Sequence, residues 1–525
     1  VSKRYPGRRL SWWRLTILVG VLGVLGFASV EGWRWFEDVQ TAANSDPWTD
    51  GYVDVTTTPF YAFEEVSDTD LKNITLAFVV ASKTDPCEPS WGGAYSLQQA
   101  GVEVDLDRRL ARLRDLGGSA QVSFGGAANS DLAVGCEDST KLEKAYGSVI
   151  ERYETTTVDL DIEGDFLTDL PAIERQARAF ASLQGERKTG DAPLDVWLTL
   201  PVAPTGLTDA GTDAVTAFLE AGVDLAGVNA MTMNYGDTAV AEKPFIDVIT
   251  ESLQQTHRQL GVLYGRQGIQ LGSATLWSKL GATPMIGQND VRAEIFTIAD
   301  AQQLNAFSVE QGLERVSFWS INRDQTCAPN YPDVRTVSNS CSGVDQGDAT
   351  FAAILAQNRP GTLDAVFGPG TTPEPTETDP AAADDPKTSP YPIWDENAAY
   401  PAESKVVWRH NVYQAKWWTQ GDAPDNPVLQ ISESPWTLIG PVLPGETPVP
   451  VPTLAPGILP EWQKDATYVS GDRVMFLDVP YQARWWTQGD SPDASKVLPD
   501  SSPWRPLTAT EIMSLQKTAT PTPAP

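Results

Sequence analysis

Histidine is almost absent from this chain. Only His257 and His410 occur, so neither a multi-histidine metal site nor two separate histidine-dependent centres can be assembled from it. Positive charge is scarce as well: 38 Lys and Arg stand against 69 Asp and Glu, a formal net charge of −31. A polyanion would be repelled over the whole surface, which excludes nucleic acid as a partner and leaves a neutral or solid one. The sequence holds no Gly-rich loop with a following Lys to cradle a phosphate, and no nucleophile-elbow serine. The chemistry that remains runs on carboxylates, with no metal and no cofactor. Cysteine is sparse too, at Cys87, Cys136, Cys327 and Cys341 without a Cys-x-x-Cys element. Four cysteines allow three pairings. Nearness favours Cys327 with Cys341 and leaves Cys87 with Cys136, as suits an exported, oxidised protein.

Export is also written at the N-terminal end. Lys3, Arg4, Arg8, Arg9 and Arg14 precede an uncharged apolar run from Leu15 to Val30, the layout of a secretory signal or signal anchor. Trp12, Trp13, Trp33 and Trp35 flank the run like interfacial aromatics, and no Ala-x-Ala cleavage site follows. The expectation is an anchored or secreted monomer at the cell surface or outside the cell, touching a membrane only through this segment.

From Gly51 to Arg359, short β-branched runs alternate with longer amphipathic stretches, the signature of parallel strands joined by helical crossovers. Strands are expected to start at Tyr52, Ile74, Ala120, Thr157, Val196, Gly227, Ile269 and Val316. Between them lie helical patterns such as "LDRRLARLRDLGG", which stops on Gly117 and Gly118. Eight strands with seven helical crossovers predict an α/β fold, a (β/α)₈ TIM barrel.

The fourth strand is unusual. In "TVDLDIEG", Val158, Leu160 and Ile162 alternate with Asp159, Asp161 and Glu163, so an extended chain puts three carboxylates on one face about 6.6 to 6.8 Å apart. In a barrel that face is the interior, and the last carboxylate lies at the C-terminal end, where such barrels place their active sites. Crowding carboxylates there raises at least one pKa and keeps an acid protonated near neutral pH.

"VDLDIEG" resembles the active-site strand of glycoside hydrolase family 18, the chitinase family, whose motif reads Asp-x-x-Asp-x-Asp-x-Glu. "SFGG" at Ser123 to Gly126, "MTMNY" at Met231 to Tyr235 and "FWSINRD" around Trp319 resemble its third-, sixth- and eighth-strand motifs. The resemblance implies that Glu163 is the proton donor and later the base. Asp161 would orient and stabilise the N-acetyl group of the substrate, whose carbonyl oxygen attacks the anomeric carbon, and Asp159 would share a proton with Asp161. Trp319 would floor the sugar site, Met231 and Tyr235 would line the acetamide pocket, and Asn234 would bind substrate beside them. Two positions depart from the family: Thr156 replaces the first Asp of the motif, and Asn234 stands where the sixth strand usually has Asp.

Beyond the barrel, Pro/Thr-rich linkers precede two aromatic-rich units. Trp394, Tyr400, Tyr413, Trp417, Trp418 and Trp436 recur 68 positions later as Trp462, Tyr468, Tyr481, Trp485, Trp486 and Trp504, sharing the string "WWTQGD". Such a repeat marks duplicated modules. They resemble the small all-β chitin-binding modules of carbohydrate-binding families 5 and 12. Trp417, Trp418, Trp485 and Trp486 are the expected sugar platforms, at least one of each pair exposed, while Trp394, Trp436, Tyr400 and their repeats build miniature cores.

The expected organisation is a basic segment over 1–14, a signal anchor or signal peptide over 15–30, a linker over 31–50, the barrel over 51–359 and a Pro/Thr linker over 360–390. The first module follows over 391–440, a Pro-rich linker over 441–458, the second module over 459–508 and a disordered tail over 509–525. Chitin, or another N-acetylglucosamine polysaccharide, is the implied partner. An endo-β-N-acetylglucosaminidase acting on glycans and a non-catalytic chitin-binding surface protein are the alternatives.

Overall fold

The computed structural model describes residues 46–363, 384–448 and 457–507 apart from short interior stretches, together with Trp13, Leu454 and a few positions between 511 and 515. The basic segment and apolar run of the N-terminus lie outside the described residues, as does most of the first Pro/Thr linker. Among the described residues, no helix is long and apolar enough to cross a membrane. Two compact units divide the chain, one ending at Thr372 and the other beginning at Pro373.

Eight parallel strands close the first unit into a barrel: β1 Trp48–Asp54, β2 Asn73–Ala81, β3 Ser119–Gly125, β4 Thr157–Asp161, β5 Asp195–Ala203, β6 Leu225–Met231, β7 Leu280–Thr283 and β8 Arg315–Val316. Closure comes from β1, which pairs with β2 through Gly51↔Ile74 and with β8 through Trp48↔Arg315. Apart from a single turn at Leu132–Gly135, the helices outside are α1 Leu97–Glu103, α2 Leu106–Asp115, α3 Ser139–Arg152, α4 Leu170–Arg187, α5 Asp209–Glu220, α6 Phe245–Arg266, α7 Ser273–Ser278, α8 Ile298–Gln311 and α9 Phe351–Leu355. Their local sequences explain them. Asp138 caps α3 by accepting from the N–H groups of Thr140 and Lys141, and Leu142, Ala145, Tyr146, Val149 and Ile150 recur along its buried stripe. A capping box of Thr297 and Asp300 opens α8, and Gly312, at φ 81°, closes it.

The structure departs from the sequence expectation in three places. The stretch from Ile269 to Trp277, expected as the seventh strand, contains the short helix α7, and the strand is the following Leu280–Thr283. Packing decides this: Trp277 stacks on His257 of α6 at 4.2 Å and meets Phe307 of α8 edge-on at 5.9 Å, while Ile269 stays exposed. The crossover from β1 to β2 contains no helix among the described residues. The barrel unit also runs past its expected limits. It begins at Trp48, and Gly361 and Leu363 are bonded back onto Pro47 and Asn73.

The inside of the barrel is layered. At the bottom, Trp48 and Trp197 meet edge to face at 6.0 Å. Above them lies a polar layer of Asp50, Tyr52, Thr75, Gln121, Asp159, Thr199, Asn229 and Arg315, all buried. Val158, Leu160 and Ile162 face the other way, into the apolar shell beneath the helices.

Both aromatic repeats fold as small antiparallel units. Lys405–Trp408, Asn411–Ala415 and Trp436–Pro441 form the first three-stranded sheet, and Arg473–Phe476, Val479–Ala483 and Trp504–Pro506 form the second. "TQGD" is the hinge of each. Thr419 and Thr487 donate to Asp422 and Asp490 at 2.5 and 2.6 Å, Gly421 and Gly489 adopt left-handed φ of 82° and 85°, and the indoles of Trp436 and Trp504 donate to the Asp carbonyls at 2.9 Å. Part of the tail expected to be disordered packs here: Ile512 is buried with Leu454, Met475 and Leu507, and Glu511 pairs with Arg505 at 2.7 Å. Two disulfides form, Cys87–Cys136 and Cys327–Cys341, as nearness in sequence predicts.

The bottom layer is tight. A Cβ at Gly227 would lie 2.3 Å from the Trp197 ring and 2.7 Å from the Lys279 carbonyl. Gly227→Ala is therefore expected to lower stability by about 1 to 3 kcal/mol through overpacking. Thermal and denaturant unfolding check this, and an unchanged midpoint would contradict the packing described.

Candidate active site

Strand β4 carries the site because its alternation is forced from outside: with Val158, Leu160 and Ile162 in the apolar shell, Asp159 and Asp161 must point inward. The neighbouring strand makes room. Gly125 sits at φ 101°, where a Cβ would lie 2.1 Å from the Asp161 carbonyl, and a Cβ on Gly126 would press on the Phe78 ring at 2.8 Å. The glycines of "SFGG" are therefore steric requirements for bringing β3 against β4 and Phe78.

Asp159 is the most heavily bonded of the three carboxylates. It accepts from Tyr52 Oη at 2.9 Å, Ser123 Oγ at 2.7 Å, Thr199 Oγ1 at 2.6 Å and Arg315 Nη1. The same guanidinium donates to Asp50 at 3.0 and 3.2 Å. Asp50, Asp159 and Arg315 all have fully buried side chains, so this is an ion triad whose members depend on each other for solvation. No hydrogen bond joins Asp159 to Asp161 among the described residues.

Asp161 has the opposite environment. It is buried, and its Oδ1 accepts no hydrogen bond from the described residues. Burial first, then the charges of Glu163 and Asp159, hold its carboxyl well above the usual range, with Arg315 only partly offsetting them. Both effects favour the protonated form of Asp161. Glu163 lies two residues past the end of β4, held by the bond from Ile162 N–H to the Thr199 carbonyl at 3.0 Å. Burial and then the charge of Asp290 push it up to about 6, against the Ala127 N–H that it accepts. The arrangement is a graded series: a carboxylate paired with Arg315 below, a carboxyl raised by burial in the middle, and at the mouth a carboxyl raised to about 6 that can change state near neutral pH.

An aromatic surface borders it. Trp319, half-buried, stacks on Phe78 with ring centres 5.5 Å apart, and Tyr52 tilts against both at 6.0 and 6.2 Å. Met231 ends β6, half-buried between Pro201 and Thr283 in register. Asn234 is exposed in the loop beyond, at a left-handed φ of 56°. The Tyr235 hydroxyl shares a 2.7 Å hydrogen bond with Ser252 of α6, so it is committed to helix packing. Thr156 is buried at the start of β4, below the acidic series.

Sequence reasoning passed over Tyr52, Phe78, Asp131, Asp290 and Arg315. Arg315 left a signal, being an arginine in an otherwise apolar strand of a barrel that has acids to neutralise. Asp131 left none. It is buried behind β3, near enough for its charge to act on Asp161, and burial raises it to about 7.

In the modules, Trp417, Trp485 and Trp486 are exposed and Trp418 is half-buried. Trp436, Trp504, Tyr400 and Tyr468 are buried in the cores, with Trp394 and Trp462 packed on them.

Fold and site together define a (β/α)₈ barrel with a row of carboxylates on its fourth strand, in a chain that also carries small β-modules. Residues 461–505 match carbohydrate-binding module family 5/12. The chain is 34% identical over 260 residues to a probable bifunctional chitinase/lysozyme of Escherichia coli, a match spanning 48% of this chain and 28% of that protein. It is 33% identical over 264 residues to endochitinase 11 of Metarhizium anisopliae, spanning 49% of this chain and 48% of that protein. The chain thus spans half or less of the length of these curated relatives. Its fold is similar to the catalytic domain of a hyperthermophilic chitinase from Pyrococcus furiosus, with a TM-score of 0.51 and 26% identity, covering 60% of this chain and 97% of that one.

Removing Arg315 tests the ion triad. Arg315→Met leaves Asp50 and Asp159 buried without a counter-ion, at an expected cost of about 3 to 5 kcal/mol. Unpaired buried acids bind protons more tightly folded than unfolded, so the loss should deepen as pH rises. Denaturant unfolding at acid and alkaline pH measures both; a loss independent of pH would count against the pairing.

Proposed function

We propose that the chain is a chitinase that hydrolyses β-1,4 linkages between N-acetylglucosamine units with retention of configuration and is held on insoluble chitin by its paired modules. The observation that carries this reading is the graded series on β4, with Glu163 raised to about 6 at the mouth and buried Asp161 held well above the usual carboxylate range beneath it. The similarity to chitinases over about half of the chain and the match of the second repeat to a carbohydrate-binding module support it.

In this reading the acetamide oxygen of the substrate attacks its own anomeric carbon. The glycosidic bond breaks, its electron pair stays on the glycosidic oxygen, and that oxygen takes the proton of Glu163. The oxazolinium ring that forms is positive, and Asp159 and Asp161, which hold one proton and one net negative charge between them, stabilise it from below. Glu163, now a carboxylate, takes a proton from water as the water opens the ring, which restores the acid. Because the nucleophile belongs to the sugar, the usual pair of enzyme carboxylates is not needed. Trp319 and Phe78 form the apolar surface under the sugar ring, and Met231 borders the acetamide. Trp417, Trp485 and Trp486 offer flat faces to the C–H groups of the polymer.

Three outcomes test the proposal. Glu163→Gln fills the same volume but carries no transferable acid proton, so turnover of chito-oligosaccharides should fall by about 10² to 10⁴ while chitin binding persists; near-normal turnover would exclude Glu163 as the acid. Since the donor must be protonated, kcat/KM should decline as pH rises past about 6, and a profile flat to pH 8 would contradict that role. Cleaving the chain after Leu363 should depress activity on crystalline chitin strongly and barely change turnover of a soluble trimer, because two linked modules add avidity of up to roughly 10² to 10⁴ only on a surface that both reach. Equal loss on both substrates would argue against anchoring.

A further inference from the structure

Three successive residues join the end of β3 to the end of β4. Gly125 stands in register with Asp161, the Gly126 N–H donates to the Asp161 carbonyl at 3.1 Å, and the Ala127 N–H donates to the Glu163 carboxyl. Behind this seam sits the Asp131 carboxyl, buried and without a part in the acid step described above. Its Oδ1 accepts from the Ala133 N–H at 2.6 Å and from the Tyr146 hydroxyl of α3 at 3.4 Å. That hydroxyl in turn accepts from Gln176 of α4 at 3.0 Å, and the Tyr146 ring meets Phe124 of β3 edge-on at 5.0 Å.

The second oxygen, Oδ2, has no hydrogen-bond partner among the described residues. It lies 3.3 Å from the point where a Cβ on Gly125 would be, and the Asp161 carbonyl oxygen lies 2.1 Å from the same point. The Asp131 carboxyl and the backbone of Asp161 therefore flank a residue that has no side chain. Asp131 also caps the single turn Leu132–Gly135, but capping does not need this reach, since a serine caps as well.

We propose that Asp131 is a positioning residue for the acid step: its carboxyl wedges the loop after β3 against the end of β4 and so holds the Ala127 N–H on Glu163. The proposal rests on the reading of Glu163 as the general acid. The other ties of the loop run elsewhere. Ser130 accepts from the Ala81 N–H of β2 at 2.9 Å, Asn129 Nδ2 donates to the Gly92 carbonyl at 3.1 Å, Arg175 of α4 donates to the Ala133 carbonyl at 2.5 and 3.2 Å, and Cys136 is bridged to Cys87. These hold residues 129–136, and none of them reaches β4.

The charged groups that act on Glu163 and Asp161 are each other, Asp159 and Arg315 inside the barrel, Asp290 from the loop after β7 and Asp131 itself. Around Asp131 stand Asp161, Tyr146 and Arg175. Against the repulsive carboxylates, the Ala127 N–H favours the charged form of Glu163. Loosening the loop should therefore let Glu163 keep its proton to higher pH.

The test uses the full chain. Titration of the Glu163 carboxyl by ¹³C NMR, assigned by its absence in Glu163→Gln, reads the Ala127 contact without substrate. In Asp131→Ala the midpoint should rise by about half a unit to one unit as the N–H withdraws. Asp131→Asn keeps the size of the side chain and the acceptor for Ala133, and should titrate near the wild-type midpoint. On a soluble chito-oligosaccharide with a fluorogenic leaving group, Asp131→Ala should lower kcat by about 10 to 10² while KM stays within about threefold, the pattern of a misplaced acid. The alkaline limb of kcat/KM should move to higher pH, and Asp131→Asn should restore both.

An unchanged midpoint in folded Asp131→Ala, a loss of kcat equal at every pH, or a failure of Asp131→Asn to restore the midpoint overturns the proposal, even if the enzyme is an active chitinase. A midpoint raised in Asp131→Ala and restored in Asp131→Asn supports it even if wild-type protein leaves chito-oligosaccharides intact, in which case it is the functional reading that fails. Should Asp131→Ala not fold by circular dichroism, Asp131→Ser, which keeps a cap for the turn and withdraws the second oxygen from Gly125, decides by the same titration.

Discussion

A single guanidinium inside a closed barrel governs this unit. Arg315 is buried with two aspartates, and each of the three would be intolerable there alone. Its bonds run to strands β1 and β4, so the pairing that closes the barrel also places the acidic strand. The triad divides the interior into a part where the carboxylates share a counter-ion and, one step up the strand, a part where Asp161 has no ion pair among the described residues. Asp161 and Glu163 are unusual acids because burial raises both, with neighbouring carboxylates adding repulsion. Tyr52, Ser123 and Thr199 complete that balance with hydroxyls from three further positions around the wall.

The acidic strand was legible because period-two alternation assigns faces without tertiary information: with Val158, Leu160 and Ile162 outward, Asp159 and Asp161 had to be inside. The repeated aromatics were legible for a similar reason, since duplicated spacing implies duplicated contacts. Strand β7 was not. It has four residues, and its signal is weaker than that of the preceding "ATLW", which becomes helical when Trp277 finds His257 and Phe307. Asp131 and Asp290 were invisible because they sit on loops, and only the closed barrel brings their charges near β4. Tyr235 shows the reverse case. Its motif placed it at the mouth, but the structure commits its hydroxyl to Ser252.

The expected proton sharing between Asp159 and Asp161 finds a different physical setting here. Four donors saturate Asp159, whereas Asp161 Oδ1 accepts none from the described residues and burial holds its carboxyl well above the usual range. The member that burial pushes towards its protonated form is the one nearer the mouth. Thr156, which stands in place of an acid at the start of the strand, lies below this balance and adds no further charge to it.

The edge-to-face pair of Trp48 and Trp197 has a topological meaning. With Arg315 poised above both rings at 5.2 and 5.7 Å, the lower end of the barrel is stoppered by aromatic bulk. The interior is a blind well with one opening. Whatever reaches β4 must therefore enter and leave by the same rim. Traffic in and out is then a matter of the rim loops alone.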